Sequence, residues 1–299
     1  MTYEITGKTK LAALLGSPVA HSISPQMHNE AFRCLGLDYA YLAFDVQPED
    51  LETAVKGLKA IGICGFNLTM PLKLHILPML DELTPAARLA GSVNTVIAEG
   101  GRLVGHTTDG IGYMRSVADA GHTIAGGKMT LLGAGGAATA ICVQAALDGV
   151  QAIDMFKRKN SSWGKAEEFC ARIEEETGCQ IRLMDIGNDS QLAASIAGSA
   201  ILTNATSVGM APGTDSSPIP DSSMLHPGLV VSDIIYNPRE TMLMKQAKSQ
   251  GCPCFNGLYM LLYQGAESFR CWTGQEMPVE HIKEKYFSGG ALGGAARKQ

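Results

Sequence analysis

The sequence lacks the composition of a disordered, fibrous or disulfide-stapled protein. Its 299 residues are 45% hydrophobic and 18% charged, and its 34 glycines and 13 prolines are near ordinary usage, which argues against disorder and against fibrous repeats. The eight cysteines are scattered, and Cys252 and Cys254 have no second ligand pair at zinc spacing. We therefore expect reduced thiols, no metal site, and a globular chain of about two domains.

An excess of charge of one sign is also missing. The 24 basic residues are nearly balanced by 29 acidic residues, for a formal net charge of -5, so we expect neither nucleic acid nor a membrane surface as a partner. The N-terminal segment has no apolar run of the signal-peptide kind, which predicts a cytoplasmic protein. One uncharged stretch, residues 129–147, approaches the roughly 20 residues that span a bilayer. Its many Gly and Ala residues and its interspersed polar side chains favour a strand, a turn and a buried helix instead.

Strand and helix patterns alternate along the first third of the chain. Apolar runs and turn residues predict strands at 11–15, 39–46 and 61–68, helices at 25–35, after Pro48, from Pro71 and from Pro85, and a hairpin at 93–98 and 102–105. These patterns together predict an α/β unit.

The alternation restarts near residue 108. The pattern predicts strands at 129–132, 150–156, 181–185, 200–204 and 229–235, and helices at 109–120, 165–177, 241–250, 258–272 and from Pro278. Strands that alternate with helices imply a parallel sheet covered on both faces. We therefore expect a two-domain α/β protein with a substrate-binding domain at 1–107 and a Rossmann-type doubly wound parallel sheet at 108–257. The C-terminal helices at 258–299 return to the first domain, and the tail at 288–299 is predicted to be disordered.

A glycine-rich turn follows the strand predicted at 129–132 and opens a helix. Gly133, Gly135 and Ala138 match the G-x-G-x-x-G/A pattern of dinucleotide-binding folds in its required context of strand, turn and helix. The first glycine allows a tight turn, the second lets backbone amides reach a pyrophosphate, and the small third residue lets helix and strand pack closely. The residues expected to bind the cofactor here are Gly133, Ala134, Gly135, Gly136 and Ala137.

The residues that distinguish NAD from NADP lie about 20 residues further on, at the end of the next strand. There the chain has Lys157, Arg158 and Lys159, while Asp154 lies within the strand. A basic strand end suits the 2′-phosphate of NADP. We therefore predict NADP, bound through Lys157 and Arg158, with NAD as the alternative.

Three polar constellations in the first domain lie where predicted strands end and helices begin, which is where open α/β sheets bind ligands. Ser22 and Ser24 lie near a helix N-terminus and offer hydroxyls and backbone amides to a carboxylate. Asn67, Thr69 and Asn94 offer short donors and acceptors that suit a polyol. The sequence therefore predicts a small hydroxylated acid as the ligand.

The motifs around these residues resemble those of the shikimate dehydrogenase family, including its quinate/shikimate dehydrogenase branch. The matching strings are GSPVAHSISPQMHN at 16–29, GFNLTMPLK at 65–73, VNT at 93–95, TTDG at 107–110, NATSVGM at 204–210, YNP at 236–238 and MLLYQGA at 260–266. They extend over nearly the whole chain. The resemblance implies reversible hydride transfer between NAD(P)H and C3 of 3-dehydroshikimate, with shikimate as the alcohol, a step of aromatic amino acid biosynthesis.

The resemblance also implies a catalytic pair, Lys73 and Asp109. Oxidation of a secondary alcohol needs a base for the hydroxyl proton as hydride leaves. Lys73 would move this proton, and Asp109 would orient it and hydrogen-bond the substrate.

Further site residues follow from the same resemblance. The substrate carboxylate is expected on Ser22 and Ser24, and the ring hydroxyls near Thr69, Lys73, Asn94, Asp109 and Gln264. Asn67 and Tyr41 are additional substrate candidates, although an aromatic residue in an alternating strand is more often part of the core. The cofactor candidates beyond the glycine-rich turn are Thr206, Met210, Tyr236 and Gly257.

Several alternatives stay open. Quinate, which has one more hydroxyl at the carboxylate-bearing carbon, is an alternative main substrate, because both serines suit either acid. A non-catalytic metabolite sensor of the same fold is a second alternative, against which Lys73 and Asp109 argue. Thr107 stands where the family commonly has Asn, so the local hydrogen-bond network is expected to differ. Apolar stripes on the terminal helices leave a homodimer open.

Overall fold

The computed structural model describes residues 4–287 and divides the chain into two compact units. Unit 1 contains the chain up to Thr84, the segment Val93–Thr108 and the chain from Leu262 onward, and unit 2 contains Pro85–Ser92 and Asp109–Leu261. The changes of unit after Thr108 and Leu261 lie near the expected domain limits at 107 and 257. The assignment of Pro85–Ser92 to unit 2 is not anticipated by the sequence pattern. The tail at 288–299 lies outside the described residues.

Unit 1 is built on a mixed six-stranded sheet. Its strands are β1 (Lys10–Gly16), β2 (Tyr39–Asp45), β3 (Gly65–Leu68), β4 (Glu82–Leu83), β5 (Thr95–Glu99) and β6 (Arg102–His106). The order is β2-β1-β3-β5-β6-β4, with β1 parallel to β2 and β3, and with β5 antiparallel to β3 and β6. The predicted hairpin is confirmed, and Gly100 and Gly101 at its tip have φ of 57° and 78°, a conformation that favours glycine.

The helices of unit 1 follow the apolar pattern. They are α1 (Ser24–Leu35), α2 (Leu51–Ala60), the part of α9 (Leu258–Thr273) from Leu262 onward, and α10 (Val279–Ile282), which continues as a π-helical turn over Lys283–Phe287. Pro25 in the first turn of α1 lacks an N–H that would have no partner there, and Gly36, with φ of 66°, ends the helix.

The α-helix predicted from Pro71 is wrong. Residues 71–76 form turns, and Leu77–Met79 forms a single 3-10 turn. The Lys73 carbonyl accepts the backbone N–H of Val93 at 3.0 Å, outside any helical pattern. Pro78 has no N–H to donate to the Leu74 carbonyl, so the helical ladder cannot continue. The strand predicted at 61–68 is also shorter than expected, since only Gly65–Leu68 pairs.

Unit 2 contains the doubly wound parallel sheet that the sequence predicts. Its elements are α3 (Pro85–Ala90), α4 (Asp109–Asp119), β7 (Lys128–Leu132), α5 (Gly136–Leu147), β8 (Ala152–Lys157), α6 (Trp163–Thr177), β9 (Gln180–Asp185), α7 (Asp189–Ala197), β10 (Ile201–Asn204), β11 (Val230–Asp233), α8 (Met242–Ser249) and β12 (Cys254–Phe255). The order β12-β11-β10-β7-β8-β9 is wholly parallel. The strand order reverses between β7 and β10, as in Rossmann folds.

Both faces of this sheet are covered by apolar residues. Leu131 and Ile201 belong to one buried cluster, whereas their chain neighbours Leu132 and Leu202 belong to another. Successive side chains of a strand point to opposite faces, so the two clusters lie on the two sides of the sheet. The stretch 129–147 forms β7, a turn and the mostly buried α5. Within residues 4–287, no helix combines the length and apolar character needed to cross a membrane.

Candidate active site

The turn between β7 and α5 has the geometry of a dinucleotide-binding loop. Gly133 has φ of 115°, and a Cβ there would lie 2.8 Å from the Ala205 carbonyl oxygen, so glycine is required. Gly135 is the N-cap of α5, and a Cβ on it would meet nothing within 4 Å. Residues 134–137 are partly or fully exposed, whereas Ala138 is buried in the core. The N-terminus of this helix is therefore accessible, and helix N-termini of this kind bind anions such as a pyrophosphate.

The basic segment after β8 forms a cationic loop around Trp163. Lys157 Nζ lies 5.6 Å and Lys159 Nζ 5.7 Å from the centre of the Trp163 ring. Lys157 Nζ also donates to Asn160 Oδ1 at 2.9 Å, and Arg158 is exposed. These groups suit the 2′-phosphate of NADP, which needs positive charge at the end of this strand.

Asp154 does not take part in this loop, because it is buried within β8. Its carboxylate accepts hydrogen bonds from Arg182 Nε at 2.7 Å and from Ser195 Oγ at 2.6 Å, and it pairs with Lys128 Nζ at 2.7 Å. Burial raises the pKa of Asp154, but the hydrogen bonds from these partners outweigh it and hold the pKa below its usual value. The sequence placed Asp154 within the strand, and the structure agrees.

The loop after β10 carries the cofactor candidate Thr206 and is held by Asn204. Asn204 Oδ1 accepts the backbone N–H of Thr206 at 3.0 Å and its hydroxyl at 2.6 Å. Asn204 Nδ2 donates to the Val208 carbonyl and to Asp233 Oδ1. The fully buried Asp233 also accepts from Thr241 Oγ1 at 2.7 Å, and burial raises its pKa. This network fixes the loop that precedes Met210.

The other cofactor candidates differ in exposure. Met210 is exposed, with 39% of its surface accessible, and Tyr236 is half-buried, with a pKa raised by burial. Gly257 is buried, and its N–H donates to the Ile235 carbonyl at 3.1 Å. A Cβ on Gly257 would overlap the backbone of Ile234. Gly257 therefore has a packing role that glycine alone can fill.

In unit 1, helix α1 holds the strand residue Tyr41. Asn29 Nδ2 donates to the Tyr41 carbonyl and Asn29 Oδ1 accepts the Tyr41 N–H, both at 2.8 Å. His28 stacks on the Tyr41 ring with 4.4 Å between centres, and burial lowers the pKa of His28 to about 3. Ser22 Oγ accepts the backbone N–H of Ser24 at the start of the helix. Burial raises the pKa of Tyr41 well above its usual value, against a weaker opposing effect of its hydrogen bond with Ser24.

Tyr41, Asn67, Asn94 and Gln264 belong to one hydrogen-bond network. The Tyr41 hydroxyl donates to Asn67 Oδ1 at 2.7 Å, and Asn67 Nδ2 lies 3.1 Å from the Asn94 carbonyl. Asn94 Nδ2 donates to Gln264 Oε1 at 3.2 Å. These four predicted site residues come from β2, β3, the residue before β5, and α9, so the sheet brings together groups that are far apart in sequence.

Thr69 and Lys73 lie on the turn-rich segment after β3. The Thr69 N–H donates to the Leu15 carbonyl at 2.9 Å, and its methyl group fills the space that a side chain on Gly16 would need. Lys73 is half-buried, and its carbonyl is bonded to Val93. This bond fixes the backbone of Lys73 next to the segment that carries Asn94.

Asp109 is the first residue of α4 and belongs to unit 2, where it is buried. Its chain neighbour Thr108 belongs to unit 1 and donates its N–H to Asn94 Oδ1 at 2.6 Å. The backbone positions of Lys73 and Asp109 are therefore both connected to the segment of Val93 and Asn94, one by a hydrogen bond and the other through Thr108.

Sequence reasoning missed three members of the unit 1 network. Thr95, Thr108 and Ser268 are buried, and their hydroxyls contact one another and the Asn67 or Asn94 side chains. Two of them were adjacent to predicted residues, since Thr95 follows Asn94 and Thr108 precedes Asp109. Ser268 lies one helical turn after Gln264 and so shares its face of the helix.

One group of potential metal ligands, Glu30, Cys34 and His281, lies together among the described residues. The Glu30 carboxylate already accepts hydrogen bonds from Arg33, at 3.0 Å from Nε, and from Lys285 Nζ at 2.8 Å, and His281 Nε2 lies 2.7 Å from it. Two neighbouring cations oppose the approach of a metal ion. This group is therefore an ion-pair cluster between α1 and the C-terminal segment.

Comparison with known proteins gives the family. Residues 14–96 match the shikimate dehydrogenase substrate binding domain, and residues 257–285 match the shikimate 5'-dehydrogenase C-terminal domain. The shikimate dehydrogenase (NADP(+)) of Listeria monocytogenes serotype 4b (strain F2365) is 51% identical over 287 residues, which are 96% of this chain and 99% of that protein. This chain belongs to the shikimate dehydrogenase family. The shikimate dehydrogenase (NADP(+)) of Streptococcus uberis is 47% identical and covers 96% of this chain and 99% of its own.

Solved structures of shikimate dehydrogenases share the fold. The structure of shikimate 5-dehydrogenase from Listeria monocytogenes in complex with shikimate and NAD has a TM-score of 0.91 and 51% identity, and covers 95% of this chain and 98% of its own. A shikimate dehydrogenase in complex with NADP+ has a TM-score of 0.84 at 40% identity, and the match covers 94% of this chain and 96% of that one. Quinate dehydrogenase from Corynebacterium glutamicum in complex with NAD is more distant, with a TM-score of 0.81 at 28% identity. That match covers 92% of this chain and 98% of the other. The predicted two-domain α/β fold is confirmed.

Proposed function

We propose that this protein is an NADP-dependent shikimate dehydrogenase, which reversibly reduces 3-dehydroshikimate to shikimate in aromatic amino acid biosynthesis. The observation that carries the proposal is the 51% identity, over 96% of the chain, to a protein named for that activity. The network of hydroxyls and amides in unit 1 supports the same substrate class. A hydroxylated ring acid needs short, neutral hydrogen-bonding groups, and the network consists of such groups.

We infer that the substrate carboxylate binds to Ser22 and Ser24 at the start of α1. A helix N-terminus offers amides and a favourable dipole to an anion. The ring hydroxyls then bind to Thr69, Asn94 and Gln264. Asn67 and Tyr41 remain substrate candidates, and they also support Asn94, because the Tyr41 hydroxyl donates to Asn67 Oδ1 and Asn67 Nδ2 contacts the Asn94 carbonyl.

Lys73 and Asp109 form the catalytic pair of the proposal. When bound, the nicotinamide supplies the hydride for reduction and accepts it in oxidation. Lys73 takes the hydroxyl proton as the alcohol is oxidised and returns it in the reverse direction. Asp109 orients the Lys73 amino group and accepts a hydrogen bond from the substrate. Support comes from the backbone, since Lys73 is tied to Val93 and Thr108, next to Asp109, is tied to Asn94.

NADP is the preferred cofactor in this proposal, with Lys157 and Arg158 at its 2′-phosphate. The cationic loop around Trp163 supports this preference, as do the names of the relatives. NAD remains the alternative, because the Listeria structure at 51% identity contains NAD. The quinate alternative is favoured only by the more distant relative named a quinate dehydrogenase. The comparisons give no support to the sensor alternative.

A four-way assay tests this function. The purified protein is followed at the absorbance of the reduced nicotinamide, with shikimate or quinate as the alcohol and NADP or NAD as the cofactor. The proposal predicts the highest kcat/KM with shikimate and NADP. A higher kcat/KM with quinate would assign the protein to the quinate branch, and absence of turnover with all four combinations would contradict the proposal.

We further infer a cytoplasmic, reducing environment for this enzyme. All eight cysteines are free thiols, and burial raises the pKa of Cys142 and of Cys170, the latter to about 11. Neutral, buried thiols of this kind resist oxidation. A homodimer stays a prediction, which size-exclusion chromatography with light scattering would test.

A further inference from the structure

Three hydroxyl groups form a triangle in the interior of unit 1. Thr95 Oγ1 lies 3.1 Å from Thr108 Oγ1 and 2.8 Å from Ser268 Oγ, and the third side, between Thr108 and Ser268, is 3.3 Å. The three residues have exposures of 0%, 1% and 0%. A ligand that enters from solvent therefore does not touch these side chains, and any effect they have on the substrate acts through their neighbours.

Two groups outside the triangle, the Asn94 amide and the Gln264 carbonyl, form hydrogen bonds with it, and it is clear which atom donates in each. At one end, Asn94 Oδ1 accepts the backbone N–H of Thr108, so the amide cannot turn over, and Asn94 Nδ2 donates to Thr108 Oγ1 at 2.8 Å. At the other end, Ser268 Oγ donates to the Gln264 carbonyl at 3.0 Å. A backbone N–H only donates and a carbonyl only accepts.

Counting the protons available between Asn94 and the Gln264 carbonyl gives a donor order for the three hydroxyls. Each hydroxyl has one proton to donate. The Ser268 proton is used on the Gln264 carbonyl, so in the shortest contact Thr95 donates to Ser268, and in the next shortest Thr108 donates to Thr95. The longest contact, between Thr108 and Ser268, is then left without a donor. The order runs from Asn94 through Thr108, Thr95 and Ser268 to Gln264.

Asn67 Nδ2 also contacts the triangle, and its two protons are shared among three oxygens, the third being the Asn94 carbonyl at 3.1 Å. Asn67 Nδ2 lies 3.0 Å from both Thr95 Oγ1 and Ser268 Oγ. The orientation of this amide is itself fixed, because the Tyr41 hydroxyl donates to Asn67 Oδ1. In this donor order, each hydroxyl proton of the triangle is assigned one acceptor.

We propose that Thr95 and Ser268 are positioning residues for substrate recognition. They hold Thr108 Oγ1 in place as an acceptor for Asn94 Nδ2, and this fixes the position from which the same Nδ2 donates to Gln264 Oε1 at 3.2 Å. The three hydroxyls thus set where the Asn94 and Gln264 amides lie when they meet the ring hydroxyls. The inference rests on the proposed function, because it takes these two amides as substrate-binding groups.

The direct test is Thr95→Val, which removes the hydroxyl at nearly constant volume. The Thr108 hydroxyl proton then loses its acceptor, and the remaining hydroxyl oxygen of the triangle, Ser268 Oγ, lies 3.3 Å away. Thr108 turns towards it, and the acceptor of Asn94 Nδ2 is displaced. We expect the KM for shikimate to rise about tenfold, the effect of one misplaced hydrogen bond, while kcat and the KM for NADP stay near the wild-type values. Thr95→Ser keeps the hydroxyl and restores the KM for shikimate. Ser268→Ala is the second variant, with the same expected rise.

Thr130→Val in unit 2 is the matched control. Thr130 is also fully buried on a strand, and its Oγ1 contacts Ser195 Oγ at 2.7 Å and Ser199 Oγ at 2.8 Å. The control loses a hydroxyl from a similar cluster, so its stability is expected to fall by a similar amount, but its KM for shikimate stays at the wild-type value.

The outcomes separate this inference from the proposed function. If wild type oxidises shikimate and neither Thr95→Val nor Ser268→Ala raises the KM for shikimate above that of Thr130→Val, the positioning role is overturned. Failure of Thr95→Ser to restore the KM also overturns it, because a loss of packing alone would then explain the change. Absence of shikimate turnover in the wild type overturns the proposed function, and this inference with it.

Discussion

The side-chain oxygen of Asn94 accepts the backbone N–H of Thr108 at 2.6 Å, one residue before Asp109. The same side chain donates through Nδ2 to Thr108 Oγ1 and to Gln264 Oε1. Asn94, the residue before β5, is thus connected within unit 1 to Thr108 and to helix α9. A single amide therefore controls the geometry of several proposed substrate-binding groups.

Asn94→Asp is expected to lower kcat/KM for shikimate by about 100-fold, because an aspartate of the same shape has no N–H to donate and places a charge against Gln264 Oε1. Steady-state kinetics measure the effect, and circular dichroism checks that the fold is intact. Asn188→Asp makes the same chemical change at the exposed N-cap of α7, where the side-chain oxygen accepts hydrogen bonds from the Gln191 N–H and the Ser190 hydroxyl. That variant should keep wild-type kinetics, and an equal loss in both variants would contradict the role of Asn94.

Arg158→Ala is expected to lower kcat/KM for NADP by about tenfold or more and to leave kcat/KM for NAD nearly unchanged, since only NADP has the 2′-phosphate. The comparison is made with shikimate at saturation. Lys165→Ala, an exposed change of the same sign on α6, serves as the control and should alter neither value. A parallel loss with both cofactors after Arg158→Ala would show that this residue does not select NADP.

Gly257→Ala is expected to lower the free energy of unfolding by about 3 kcal/mol, because the added Cβ overlaps the Ile234 backbone, which cannot move away as a flexible side chain could. Gly164→Ala is the matched control on α6, where a Cβ meets nothing within 4 Å. That change should stabilise the protein by about 0.5 kcal/mol through a better helix propensity. Urea unfolding measures both, and equal effects would contradict the packing role of Gly257.

Glu30→Gln is expected to lower the free energy of unfolding by about 2 kcal/mol at pH 7, because the buried carboxylate accepts charge-assisted hydrogen bonds. The hydrogen bond from Arg33 is the main cause that holds the pKa of Glu30 well below its usual 4.5, with smaller contributions from Lys285 and His281. A lowered pKa stabilises the folded state above the unfolded pKa, and this stabilisation is lost as the pH falls.

The difference in unfolding free energy between wild type and Glu30→Gln should therefore shrink as the pH is lowered through 4.5. Urea unfolding from pH 7 to pH 4 gives this difference. Glu52→Gln breaks an exposed pair with Lys56 and should cost less than about 0.5 kcal/mol. If the difference in unfolding free energy between wild type and Glu30→Gln stays constant with pH, the ion-pair account is contradicted.

The sequence predicted elements whose signals are local. Strand β1, the hairpin of β5 and β6, and the strands of unit 2 follow from apolar runs bounded by turn residues, and the dinucleotide loop follows from Gly133 in its context. The helix expected from Pro71 fails because the Lys73 carbonyl is bonded to Val93, a contact about 20 residues away in the chain. The two-residue strands β4 and β12 are too short to leave a periodic signal.

The site was only partly accessible from sequence for the same reason. Ser22, Asn94 and Gln264 belong to recognisable motifs, and their types suggest a polar ligand. Ser268 belongs to the network only because α9 packs its face against β3 and β5, where it meets Asn67 and Thr95. That packing is a tertiary property, and a serine in an apolar helix gives no sign of it.

The catalytic role of Lys73 is tested most directly by the Lys73→Ala variant, measured for both shikimate turnover with NADP and shikimate binding by calorimetry. The account predicts that kcat falls by about 10³-fold, because the proton transfer is lost, while shikimate still binds. Turnover near the wild-type rate in a variant that binds shikimate normally would contradict the assignment of Lys73 as the proton-transfer group.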